Sequence, residues 1–240
     1  MRMRPVRLNA ATASLFIVGS SCFVVGSVPA YSDAVGGVGD ALTYFVGSIF
    51  FTSASYLQLL QAQNPAMTEV DESGQHAPEP VTLWRWLPQD RGWLAAVTQF
   101  AGTLFFNMST LAALVQNASV QEQDRRVWRP DAVGSMLFLV SSVFGILVVA
   151  SLRAGRPRSL PWAVAWLNMV GSVFFMASAL ASYVLPSTGD ALAERLAVAG
   201  TLLGALCFLA GAVLMFPAWR RAVRQPGPLP APAIDLEESE

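Results

Sequence analysis

Long apolar runs separated by shorter polar segments dominate the pattern of residues along the chain. A run must contain about 20 residues to cross a bilayer as a helix, and six runs reach that length. They lie at residues 10–30, 41–61, 92–115, 132–152, 161–185 and 193–217. The pattern therefore predicts an all-α membrane protein with six transmembrane helices.

The polar segments contain residues that are typical of helix ends. Asp40, Asp90 and Asp131 stand just before the second, third and fourth runs, where a carboxylate can accept free backbone N–H groups of the first turn. Pro161 begins the fifth run and Pro186 follows it, which suits a residue without an N–H group. Tryptophans cluster near the run ends, where an interfacial aromatic belt would lie. They are Trp84, Trp86, Trp93, Trp128, Trp162 and Trp219.

The first run shares features with a cleavable secretory signal. Three arginines precede it, and Val-Pro-Ala at 28–30 resembles a cleavage site. The run is long for a signal, however, and it contains the same motif as the other five runs. We interpret it as a membrane helix, with a cleaved signal as the alternative.

Composition also indicates a membrane protein. Of the 240 residues, 54% are hydrophobic and 13% are charged, whereas a soluble domain is roughly 25% charged. These few charges could not form the polar surface of a soluble domain. The formal net charge of −1 gives no indication of a nucleic-acid partner. The lipid bilayer is therefore the predicted environment.

The arginines predict the orientation of the helices. With the N-terminus inside, eleven arginines lie on inner segments and four on outer segments, chiefly the 117–131 loop. Cytoplasmic loops are enriched in basic residues. We therefore expect a multi-pass protein of the bacterial cytoplasmic membrane with both termini cytoplasmic. Residues 225–240 are rich in proline and then acidic, which predicts a disordered tail.

One motif occurs once in each run: a glycine, a small residue, a phenylalanine four residues after the glycine and a second small residue seven after it. The motif glycines are Gly19, Gly47, Gly102, Gly134, Gly171 and Gly204. The motif phenylalanines are Phe23, Phe51, Phe106, Phe138, Phe175 and Phe208. Positions −3, 0, +4 and +7 share one helix face. The motif therefore predicts close helix packing through glycine, with phenylalanine between the helices.

The spacing of the motif glycines predicts internal repetition. Successive glycines are 28, 32 and 33 residues apart within pairs of runs, and 55 and 37 residues apart between pairs. This spacing favours three helical hairpins, at about 10–61, 92–152 and 161–217, copied in one orientation within a single membrane domain, 1–240.

Several stretches resemble a known family. GTLFFN, WRPDAVGSMLFLVSS, NMVGSVFFMASALASYVLP and GTLLGALCFLAGAVL are similar to sequences of the YrhK-like membrane proteins of bacteria. The resemblance covers most of residues 12–217. It implies a fold built from a repeated two-helix hairpin, and it implies no activity and no functional residues.

Ionisable side chains are absent from the middle of all six runs. Proton relays and ion-coupled carriers normally place such groups at membrane depth, and metal-dependent chemistry needs clusters of them. A serine nucleophile would also need a base. We therefore predict a protein that is not an enzyme and has no cofactor or metal site.

Uncharged polar residues do occur at depth. Gln99, Asn107 and Asn168 are the candidate intramembrane polar contacts, together with Tyr44 and Thr201. Gln99 and Asn168 occupy position −3 of the motif, so they are expected to face the bundle. Either the amides form hydrogen bonds between helices, which we favour, or they line a path for a small solute.

Two smaller features leave alternatives open. Cys22 and Cys207 occupy the same motif position in the first and last runs. We interpret them as buried small residues, with a disulfide as the alternative. Residues 84–87, with the sequence WRWL, are either a short interfacial anchor or the lead-in to the third helix.

Two functions are compatible with these features. The first is a non-enzymatic membrane protein that acts by packing with itself or with other membrane proteins. The alternative is a transporter or channel for a small neutral or weakly polar solute. A hydrated cavity lined by the three amides would favour transport, whereas a closed bundle with paired amides would favour packing.

Overall fold

The computed structural model describes residues 5–64, 81–114, 119–151 and 159–224. The elements are α1 (Pro5–Gly26), α2 (Pro29–Gln63), α3 (Arg91–Ala113), α4 (Val120–Gln123), α5 (Arg129–Ser151), α6 (Leu160–Ala181) and α7 (Glu194–Arg224). A π-helical segment, Asp124–Trp128, joins α4 to α5. The all-helical fold predicted from the apolar runs is confirmed over these residues.

Several predictions concern residues outside the described ranges. The proposed tail at 225–240 and many of the arginines that predict the orientation belong to this group. The side chain of Trp219, a predicted member of the aromatic belt, also lies outside them. The orientation of the termini therefore stays a prediction.

Five of the six long helices are long and apolar enough to cross a membrane. They are α1, α2, α6, α7 and the continuous helical stretch Val120–Ser151, which includes α5. Helix α3 has 23 residues, about 35 Å at the helical rise, but it carries two amides, Gln99 and Asn107. These amides lower its mean hydropathy. The five apolar helices indicate a membrane-embedded protein, and a sixth span through α3 stays a prediction.

The six long helices pack in a closed ring. Going round the ring in the order α1, α2, α3, α5, α6 and α7, each helix packs against the next, and α7 packs against α1. The π-helical segment lies against α3, α4 and α5. Each long helix therefore turns one face towards its two principal neighbours and the opposite face outwards.

The motif phenylalanines fill the centre of the ring. All six are buried, with 4% to 7% of their surface exposed, and they belong to one cluster. Their rings make edge-on and tilted contacts with centroids 4.9 to 6.4 Å apart. Such geometries are favourable beyond the apolar area that they bury. The core is thus an aromatic cluster to which every long helix contributes one ring.

The outward faces of the helices are aliphatic. In five of the six long helices the residue two positions after the motif glycine is a large, exposed apolar side chain. These residues are Ile49, Leu104, Met136, Val173 and Leu206. Soluble monomers rarely expose apolar surface of this extent. A belt of this kind is suited to contact with lipid chains.

The start of α2 differs from the prediction. The helix begins at Pro29 rather than at residue 41, so Asp40 lies inside the helix and cannot cap it. Gly36 interrupts the helix with a φ of +72°, a conformation that glycine adopts without steric cost. Residues around this kink are exposed. The apolar pattern did not reveal this extension, because its glycines and polar residues interrupt the run and its valines, Val35 and Val38, are exposed.

The connection between α3 and α5 also differs. The prediction of a loop through 117–131 is wrong for residues 120–131, which are helical. Ser119 and Glu122 form a capping box that begins α4, and the π-helical segment continues it into α5. Asp131 therefore lies in the first turn of α5 rather than before it. Asp90 does cap α3, because its side chain accepts a 2.7 Å hydrogen bond from the backbone N–H of Trp93.

Candidate functional site

The motif glycines of α1 and α2 lie against each other. A Cβ atom built on Gly19 would lie 3.0 Å from the carbonyl oxygen of Gly47. A Cβ atom on Gly47 would in turn lie 3.1 Å from the carbonyl oxygen of Gly19. These distances are tighter than ordinary Cβ contacts, and the opposing atoms belong to backbone. A larger residue at either position would push the two helices apart.

The same approach occurs at two other interfaces. Between α3 and α5, a Cβ on Gly102 would lie 3.1 Å from the Gly134 carbonyl oxygen, and the reciprocal distance is 3.0 Å. Between α6 and α7, a Cβ on Gly204 would lie 3.0 Å from the Gly171 carbonyl oxygen. All six motif glycines therefore lie in close helix contacts.

Each motif glycine also lies beneath the motif phenylalanine of the facing helix. A Cβ on Gly102 would lie 3.0 Å from the ring of Phe138, and one on Gly171 would lie 3.0 Å from the ring of Phe208. The contact is reciprocal, since Gly134 lies beneath Phe106. The space above each glycine is therefore filled by an aromatic ring.

Gln99 links three helices. Its Nε2 donates to Gln58 Oε1 at 3.3 Å and to Ser55 Oγ at 3.5 Å, both in α2. Its Oε1 accepts a 3.4 Å hydrogen bond from Ser141 Oγ in α5. The predicted polar contact therefore faces neighbouring helices and not the outer surface of the ring.

Asn107 and Asn168 lie at different interfaces. Asn107 Nδ2 donates to Thr52 Oγ1 of α2 at 2.9 Å, while its Oδ1 is buried without a hydrogen-bond partner among the described residues. Asn168 Oδ1 lies 3.2 Å from the position that a Cβ on Gly211 of α7 would occupy. The structure therefore brings Gln99 and Asn107 to the same side of α3, and it places Asn168 elsewhere.

Tyr44 and Thr201 also contact facing helices. The hydroxyl of Tyr44 shares a 2.9 Å hydrogen bond with Ser27 at the end of α1. Thr201 Oγ1 and Ser178 Oγ of α6 share one of 2.7 Å. The side chains of Tyr44 and Thr201 are therefore both hydrogen-bonded.

A row of small residues forms the contacts that sequence analysis did not assign. The residue directly after each motif glycine is at most 1% exposed in all six long helices. These residues are Ser20, Ser48, Thr103, Ser135, Ser172 and Ala205. The sequence does show a small residue after every motif glycine. It does not show which residue of the neighbouring helix this small residue faces.

These small residues connect helices that do not share a glycine contact. Ser48 of α2 and Thr110 of α3 share a 2.9 Å hydrogen bond. Ser135 of α5 donates to the carbonyl oxygen of Phe175 in α6 at 3.4 Å. Ser172 of α6 bonds to α5 in the same way. In α2, α5 and α6, glycine therefore faces one neighbour and the following serine faces the other.

A void of about 10 Å³ remains inside the ring. It is lined by Phe23, Ser48, Phe51, Thr103, Phe106, Phe138 and Phe175. A space of this size holds about one water molecule at most. None of the three candidate amides lines this void.

The two cysteines are free. A Cβ on Gly47 would lie 2.8 Å from Cys22 Cβ, and one on Gly171 would lie 3.1 Å from Cys207 Cβ. Each cysteine thus packs on the motif glycine of its own facing helix. The disulfide that the sequence left open as an alternative is not formed.

Comparison of the chain with protein-family models, with curated proteins and with solved structures finds no match. The resemblance to YrhK-like proteins therefore stays a prediction from the motifs. Within the described residues, no group of three or more His, Cys, Asp or Glu side chains is placed to hold a metal ion.

Proposed function

We propose that the protein is a non-enzymatic integral membrane protein that acts by packing with itself or with other membrane proteins. Its scaffold consists of three copies of a helical hairpin: α1–α2, α3–α5 and α6–α7. One observation carries the proposal: in all three pairs the motif glycines lie against the backbone or the phenylalanine of the facing helix. In lipid, helices associate through such close backbone approach, because lipid chains are as apolar as the side chains.

The proposal includes α3 as the sixth span. Its amides Gln99 and Asn107 are hydrogen-bonded to neighbouring helices, while its outward side chains Leu104, Met108 and Leu111 are apolar and exposed. The polar groups of α3 thus avoid lipid although they lower the hydropathy of the helix. Six spans place both termini on one side, which the arginine distribution predicts to be the cytoplasmic side of a bacterial cytoplasmic membrane.

The outward faces are the surfaces available for association. A photo-crosslinking amino acid in place of the exposed Met136 is expected to capture protein in intact membranes. The same amino acid in place of the buried Phe175 should react only within the chain. Adducts with lipid alone from Met136, and from equivalent outward positions of the other helices, would contradict the proposal.

A transporter or channel for a small neutral solute is the second candidate. It is favoured by the buried Oδ1 of Asn107, which has no hydrogen-bond partner in the described part of the chain. Flux of glycerol and urea into proteoliposomes distinguishes the two functions. We expect the same flux as in protein-free liposomes, and flux that Asn107→Leu abolishes would support transport instead.

A further inference from the structure

Two buried amide side chains hold the segment that precedes α3. Gln63 is fully buried at the end of α2. Its Nε2 donates to the carbonyl oxygen of Leu83 at 2.7 Å, and its Oε1 accepts a 3.1 Å hydrogen bond from the backbone N–H of Arg85. One amide therefore fixes two successive peptide groups of the segment.

Asn64 fixes the start of the same segment. Its Nδ2 donates to the carbonyl oxygen of Thr82 at 2.8 Å, and its Oδ1 accepts from the N–H of Thr82 at 2.9 Å. Together, Gln63 and Asn64 form hydrogen bonds with backbone groups of residues 82, 83 and 85, as a neighbouring β-strand would. The side chains of residues 83–86 are therefore presented by a backbone that is held in place.

The held segment exposes apolar rings and a cation. Leu83 is 65% exposed, Trp84 55% and Trp86 69%, and Arg85 between the tryptophans is also exposed. Arg85 forms no ion pair within the described ranges, where the ion pair is Arg129–Asp124. Solvent exposure of two neighbouring tryptophans is unfavourable in water.

Trp93 supports the two exposed tryptophans. It is 1% exposed, so its predicted place in an interfacial belt is wrong. Its ring centroid lies 5.2 Å from that of Trp86 and 6.1 Å from that of Trp84, both edge-on. The buried ring thus orients the exposed pair.

The segment lies where the lipid-facing surface ends. Helix α2 ends at Gln63 and α3 begins at Arg91, so residues 83–86 are at one end of the bundle. Tryptophan favours the level of the headgroups, and a guanidinium group binds phosphate through paired N–H donors. We propose that residues 83–86 bind a glycerophospholipid, with Arg85 on its phosphate and Trp84 and Trp86 beside its glycerol and upper chains. This inference rests on the membrane location proposed above.

A comparison of two lipids with identical chains tests the phosphate contact. Purified protein in maltoside micelles is titrated with dioleoylphosphatidylglycerol or with dioleoylglycerol, which lacks phosphate, and its thermal stability is followed. Arg85→Gln should raise the phosphatidylglycerol concentration needed for half-maximal stabilisation about fivefold, the effect of one arginine near a lipid surface. The response to dioleoylglycerol should not change. The matched control is Arg195→Gln, an exposed arginine in α7, which should leave both responses unchanged.

A quenching experiment tests the tryptophan contact. In liposomes of phosphatidylcholine brominated near the headgroup, Trp86→Phe should remove a larger share of the quenchable fluorescence than Trp128→Phe. An unquenched Trp86, or equal responses of Arg85→Gln and wild type to phosphatidylglycerol, would overturn the lipid site. Release of the protein from membranes by alkaline carbonate would instead refute the membrane location itself.

Discussion

Ser172 in α6 and Ser142 in α5 share a hydrogen bond of 2.9 Å between their hydroxyl groups. They stand one residue and eight residues after the motif glycines of their helices. Between α2 and α3 the same two positions are occupied by Ser48 and Thr110, whose hydroxyls are also hydrogen-bonded.

At the interface of α1 with α7, the positions that correspond to Ser172 and Ser142 are Ser20 and Ala212. Ser20 is fully buried, and its Oγ has no hydrogen-bond partner within the described residues. At this interface the second position therefore has no hydroxyl to pair with Ser20.

Ala212→Ser should restore that pair. We expect the free energy of unfolding in detergent to rise by about 0.6 kcal/mol, the average value of a hydrogen bond between membrane helices. Chemical denaturation followed by circular dichroism measures it. In the Ser20→Ala background the same substitution should give no gain. A gain of the same size in that background would show that the two positions do not face each other.

Glycines in one helix provide a matched test of close packing. A Cβ on Gly134 would lie 3.0 Å from the Gly102 carbonyl oxygen, whereas one on Gly145 meets nothing within 4 Å. Gly134→Ala should therefore destabilise the fold by about 1–3 kcal/mol, as overpacking does. Gly145→Ala should be neutral or slightly stabilising, because alanine favours the helix. Thermal melting in detergent compares them, and equal effects would contradict close packing at Gly134.

Two residues of α5 allow the contributions of the aromatic core and of the outward face to stability to be tested separately. Phe138 is 4% exposed and contacts three other motif phenylalanines, whereas Met136 is 59% exposed. Phe138→Ala should cost about 3–5 kcal/mol, the usual cost of a buried aromatic truncation. Met136→Ala should change stability little, because its side chain leaves no internal cavity. The yield of folded monomer on size exclusion checks both variants.

The amides distinguish packing from transport. Asn107→Leu removes the 2.9 Å hydrogen bond to Thr52 but also the buried Oδ1 that has no partner among the residues described. The net loss of stability should therefore be about 1 kcal/mol or less. Under the packing proposal, membrane insertion and expression should stay normal, as measured by membrane fractionation and immunoblotting. A variant that is fully folded yet loses every cellular phenotype of the protein would instead favour a solute path.

The sequence predicted the helices well because a span needs a continuous apolar run. The repeated pattern of a glycine, a small residue and a phenylalanine located the motif glycines, and all six lie at helix contacts. Prediction from the sequence failed at Asp40, where a helix extends beyond its apolar run, and at residues 120–131, where a short polar helix continues into α5. Neither case leaves a signal in hydrophobicity.

The partners of individual polar groups could not be predicted in the same way. Gln99 and Asn168 both occupy position −3 of the motif, yet Gln99 bridges α2 and α5 while Asn168 lies against Gly211. The difference depends on which helices flank each one in the ring. Similarly, nothing local distinguishes Ser172, which has a hydroxyl partner, from Ser20, which has none.

The hydrogen bonds between α2 and α3 have a consequence for assembly. The three proposed hairpins can be arranged around a ring in two cyclic orders, and the glycine–phenylalanine contacts within each proposed hairpin are the same in both. The α2–α3 interface differs, because it pairs Asn107 with Thr52 and Gln99 with Gln58. In the other order the Nδ2 of Asn107 and the Nε2 of Gln99 would lose these partners in α2, and an unpaired polar group in hydrocarbon costs several kcal/mol. A few uncharged side chains thus favour one cyclic order of the hairpins, whereas the glycine–phenylalanine contacts are compatible with both orders.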